Sequence, residues 1–111
     1  MEFTATTHES GVVVIRVDGQ LIVRNRQELK TLIQDSLEEG SRQFLIDFAS
    51  TGYIDSSGLG ALVSISKKIR DHGGALRLSG LNEDLRSLFE LTKLDTLFAI
   101  DASLDQALAK F

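Results

Sequence analysis

Cysteine is absent from this 111-residue chain, so neither a disulfide framework nor a thiolate metal centre can hold it together. Long apolar runs are missing as well, because charges interrupt each helical apolar stretch. With no leader-like segment, a cytoplasmic location without membrane association is expected. Positive charge is also in short supply: 12 Lys and Arg stand against 16 Asp and Glu, a net charge of −4. That balance argues against a nucleic-acid partner, whose phosphate backbone must be neutralised by clustered cations. The one basic cluster, Lys67, Lys68 and Arg70, reads as a solvated helix face.

Catalytic patterns fail in the same way. The two histidines, His8 near the N-terminus and His72 beside a glycine pair, offer no paired base. A nucleophile elbow needs glycine two residues on either side of its serine, but Ile54 precedes Ser56, and Asp55 precedes Ser57, at that distance. The glycines from Gly52 to Gly60 match neither the P-loop nor the dinucleotide fingerprint. A receiver-type phosphoacceptor at Asp47 would need an acidic pair after the first strand and a lysine after the last. Asp18 stands alone and Asp101 follows Ile100, so Asp47 reads as a local hydrogen-bond acceptor. No enzyme activity, metal site or cofactor is expected.

What is present suits one domain spanning residues 1–111: 42% of the chain is hydrophobic, enough to bury about two-thirds of the unfolded surface. Val12 to Val17 is β-branched and ends at Asp18-Gly19, with Phe3 to Thr7 pairing beside it as an edge hairpin. Asn25 and Glu28 have capping-box spacing ahead of Leu29, Leu32, Ile33 and Leu37, a helix that stops at Gly40. Phe44 to Phe48 reads as a covered strand, and Ala49 to Gly52 as a turn. A second helix carries Leu59, Leu62, Val63, Ile65 and Ile69 as far as Gly73-Gly74, and Ala75 to Ser79 alternates like a strand. Asn82 caps a third helix with Leu85, Leu88 and Phe89; Leu97 to Ile100 is a short strand; Ser103 and Gln106 open a terminal helix. The order ββαβαβα(β)α predicts an α/β domain with a mixed central sheet of about four to five strands and about four helices.

The most informative segment is Tyr53-Ile54-Asp55-Ser56-Ser57-Gly58-Leu59-Gly60. It sets hydroxyls at a helix start, where backbone N–H groups lack partners and the helix dipole favours an anion. Gly58 and Gly60 in that first turn either let the helix approach the sheet closely or leave its amides accessible. Asp55 suits the role of cap, accepting from backbone amides or from the Ser57 hydroxyl.

This block resembles the signature of bacterial anti-sigma factor antagonists, the stand-alone members of the STAS domain family. Val17-Asp18-Gly19, Phe44 to Phe48, Gly73-Gly74-Ala75-Leu76 and Leu88-Phe89 follow in the family's order, so the resemblance covers nearly the whole chain. It implies a STAS-like fold and a regulatory serine at Ser56. A partner that is both anti-sigma factor and serine kinase, of the histidine-kinase-like ATPase type, would phosphorylate Ser56. The unphosphorylated form would bind that partner and free a sigma factor, and a PP2C-type phosphatase would reset the cycle. The implied contact residues are Asp55, Ser56, Ser57, Gly58, Leu59 and Gly60, together with Gln20 and Ile22. There the family usually carries acidic residues around a branched aliphatic, whereas this chain has Gln20-Leu21-Ile22. Lys93 stands where a glycine is common. Two other uses of a STAS module stay open: a scaffold or transport-complex subunit without a phospho-switch, and a small-molecule or nucleotide sensor.

Overall fold

Two β-branched, hairpin-forming segments begin the fold. In the computed structural model, which describes residues 2–111, β1 (Phe3–Thr7) lies antiparallel to β2 (Val13–Val17), with Phe3 opposite Val17 and Thr7 opposite Val13. The chain continues through β3 (Gly19–Leu21), α1 (Arg26–Glu38), β4 (Gln43–Asp47), β5 (Thr51–Ile54), α2 (Ser56–Asp71), β6 (Ala75–Ser79) and α3 (Glu83–Leu91). A 3-10 turn (Leu94–Thr96), β7 (Ala99–Asp101) and α4 (Leu104–Leu108) complete it. The main sheet has the order β1-β2-β4-β6-β7, and every pairing after β1·β2 is parallel, so the expected mixed α/β sheet is present.

Alternation along the strands separates two apolar layers. Ile15, Val17, Phe44, Ile46, Phe48 and Leu78 face α1 through Leu29, Ile33 and Leu37, α2 through Leu62, Ile65 and Ile69, and α3 through Leu85 and Phe89. Each fully buried Leu, Ile or Phe contributes about 1.5–3 kcal/mol relative to exposure. Phe89 meets Phe98 edge to face, with ring centroids 5.9 Å apart. On the opposite face, Val12 and Leu45 pack on Ala107 of α4, flanked by Leu104, Leu108 and Phe111.

Three local expectations are corrected. Thr51 and Gly52, read as part of a turn, begin β5, which pairs in parallel with β3 to form a separate two-stranded sheet. Asn25 precedes α1 without capping it through its side chain. Its Oδ1 accepts from the Ile22 amide at 2.9 Å and its Nδ2 donates to the Gln20 carbonyl at 2.9 Å, so it braces the incoming chain instead. The last strand begins two residues later than Leu97, because Leu94–Thr96 forms a 3-10 turn that buries Phe98 and leaves Leu97 outside. Elsewhere the caps are as read: Asn82 Oδ1 accepts from the Leu85 amide at 2.8 Å, and Ser103 Oγ from the Gln106 amide at 3.2 Å. Asp47 Oδ1 accepts from the Ala49 amide at 3.0 Å, the local role expected of it.

Candidate functional site

Strand β5 runs directly into α2, and the residue between them makes the site. Asp55 has an extended backbone, and its Oδ1 accepts from the Gly58 amide at 2.7 Å, satisfying one of the free donors of the first turn. Its Oδ2 accepts from the Val23 amide at 3.0 Å. The carboxylate is therefore both a helix cap and a tie to the β3–α1 connection, and its partners are two backbone amides rather than the Ser57 hydroxyl. With the Asp55 amide donating to the Leu21 carbonyl at 3.2 Å, the helix start and the end of β3 are held together from both sides.

Gly58 explains the closeness of that contact. A Cβ there would lie 2.4 Å from the Leu21 carbonyl oxygen and 2.9 Å from Ile54 Cγ2, so only glycine lets α2 approach β3. Gly60 meets nothing within 4 Å and leaves open surface. The close-approach reading of these glycines thus holds at Gly58.

The segment then divides into inward and outward residues. Gly58 and Leu59 are buried, Asp55 and Ser57 are half-buried, and Ser56 and Gly60 are exposed. Ser56, the first residue of the 16-residue α2, presents its hydroxyl at the positive end of the helix dipole. The β3–β5 pairing places Gln20 opposite Tyr53 and Leu21 opposite Ile54; Leu21 and Ile54 are buried, while Gln20 is half-buried and Tyr53 is 57% exposed. Ile22 is half-buried, and its neighbour Val23, tied to Asp55, is 61% exposed. The contact residues implied by the sequence, Asp55 to Gly60 with Gln20 and Ile22, thus gather around the start of α2. Tyr53, already part of the segment picked out in the sequence, and Val23 both add exposed apolar surface here. Val23 is the one pattern reading missed, since only the β3–β5 pairing and its bond to Asp55 bring it to the start of α2.

Next to Ser56 a groove of about 500 Å³ opens between β5, the first turn of α2, and α3, reaching Leu85, Leu88 and Thr92. Among the described residues no group of three or more His, Asp or Glu is placed to hold a metal ion, and no helix is long and apolar enough to cross a membrane. The basic cluster is solvated: Lys67 pairs with Asp71 on the helix surface, and Lys68 donates to Gln34 Oε1 at 2.7 Å.

Comparison with known proteins agrees with this architecture. The chain is 27% identical over 96 residues to the anti-sigma-B factor antagonist of Staphylococcus aureus, covering 86% of this chain and 89% of that one. The Thermotoga maritima protein TM1081 superimposes with a TM-score of 0.89 at 27% identity, covering 97% of this chain and 92% of its own. The anti-sigma factor antagonist SpoIIAA in its unphosphorylated form shares the fold, with a TM-score of 0.76 at 20% identity, 97% of this chain and 96% of that one being covered. The STAS domain model matches residues 4–107, and the chain belongs to the STAS domain family.

Proposed function

We propose that this protein is a phosphorylation-switched anti-sigma factor antagonist acting in the cytoplasm. Unphosphorylated, it binds an anti-sigma factor that is also a serine kinase of the histidine-kinase-like ATPase type, and so releases a sigma factor. Phosphorylation of Ser56 ends that binding, and a PP2C-type phosphatase restores it. The chain is then a ligand and a substrate rather than an enzyme. One observation carries the reading: Ser56 is exposed at the first position of α2, immediately after a fully engaged Asp55 cap. The name of the Staphylococcus aureus relative supports the partner class. SpoIIAA, which shares the fold, has been solved in phosphorylated as well as unphosphorylated form.

A phosphoryl group at Ser56 adds about −1.5 to −2 charges at neutral pH. The helix N-terminus favours that charge, so the domain keeps its fold and the cost falls on the complex. Incubation with the cognate kinase and ATP, followed by mass spectrometric mapping, is expected to place the phosphate on Ser56. Modification at half-buried Ser57 alone, or undiminished labelling of Ser56→Ala, would overturn the assignment.

A further inference from the structure

The groove beside Ser56 has a distinctive chemistry. It is lined by buried Ile54, Leu59 and Leu85, each 8% exposed or less, and by exposed Tyr53 and half-buried Leu88. No lysine, arginine or histidine lines it, whereas Asp55 and Asp84 do. The Asp55 carboxylate is occupied by the Gly58 and Val23 amides. Asp84, exposed in the first turn of α3, has no ion pair among the described residues. The groove thus offers an apolar surface beside a carboxylate that has no ion pair, with no cation in its lining. It suits an apolar side chain accompanied by a cation.

We infer that this groove receives an apolar side chain of the anti-sigma factor flanked by a lysine or arginine, which pairs with Asp84. The inference rests on the partner-binding reading above and extends the contact surface from α2 to α3. It also says how modification acts: Ser56 borders the same groove, so its phosphate sets a hydrated anion against the apolar occupant. Tyr53 in that lining is the aromatic anchor such an interface favours.

The test is the affinity of the purified cognate anti-sigma factor for wild type, Asp84→Lys, Leu88→Ala and Asp35→Lys, with a thermal melt of each. Asp35 is exposed on α1 and supplies the same charge change away from the groove. Asp84→Lys and Leu88→Ala are expected to weaken binding by about tenfold or more, and Asp35→Lys by less than about twofold. Asp84 is exposed, so its variant keeps the test decisive even if Leu88→Ala melts early. Wild-type binding that Ser56 phosphorylation weakens, with Asp84→Lys still binding like wild type, overturns the groove and spares the partner reading. An equal loss in Asp35→Lys shows a net-charge effect and also overturns it. Failure of the wild type to bind overturns both.

Discussion

Gly58 and Gly60 stand two positions apart in one helix and have opposite surroundings. The obstacle to a Cβ at Gly58 is the Leu21 backbone, which cannot swing aside, so Gly58→Ala must push β3 and α2 apart. A loss of about 1–3 kcal/mol is expected in urea denaturation, the usual scale of overpacking. Gly60→Ala meets open space and removes a helix-interior glycine, so a gain of about 0.5–1 kcal/mol is expected. Equal midpoints for the two variants would contradict the close contact. Asp55→Ala removes a helix cap and the brace on Val23 together, at a cost of about 1–2 kcal/mol. Faster hydrogen exchange at the Gly58 and Val23 amides should accompany it; protection unchanged at Val23 would show that the second bond is dispensable.

Elements are joined by one buried carboxylate as well as by apolar contact. Asp101 of β7, with no side-chain exposure, accepts from Arg77 Nε of β6 at 2.8 Å and pairs with Lys110 just beyond α4. The Arg77 hydrogen bond holds the Asp101 carboxyl below the usual carboxylate range, against desolvation that raises it, and Lys110 lowers it further. A folded value below the unfolded one means that this stabilisation is complete above the unfolded pKa, near about 3.9, and is lost as pH falls through the folded one. Asp101→Asn is expected to lose about 1–3 kcal/mol at pH 7, with the difference from wild type shrinking as pH drops below about 4. A difference that stays constant into acid would contradict the charge-based account. Lys93, at φ 65°, holds the left-handed turn after α3, a position glycine occupies without strain. The helices were legible because each keeps its apolar spacing within one stretch, with Asn82 and Ser103 marking two of the starts. Asn25 misled because a capping residue type is also a good brace, and its carboxamide found partners behind it, at Ile22 and Gln20.

For the molecule as a whole, the sheet and its helical layer pack against α2, whose first turn is capped by Asp55 and bears the proposed switch serine. Much of this was readable in advance: Phe44 to Phe48 declares a covered strand, and Asp55 to Gly60 a helix start bearing hydroxyls. The β3–β5 sheet was not, since Gly19–Leu21 and Thr51–Ile54 are too short and too mixed in polarity to show a strand period, and their pairing spans about thirty residues. With it went the placing of Val23 beside Asp55, and the groove that α3 completes next to Ser56. Because Ser56 is exposed at a helix N-terminus that favours an anion, the Ser56-phosphorylated protein is expected to melt close to the unmodified one. The most direct measurement is the calorimetric affinity of the cognate anti-sigma factor for the two forms at one ionic strength. Phosphorylation at Ser56 should weaken binding by about a hundredfold, or roughly 2.7 kcal/mol, with the melting temperature retained. Equal affinity of the two forms, or a phosphorylated form that has lost its cooperative melt, would contradict a switch that works at the surface of an unchanged fold.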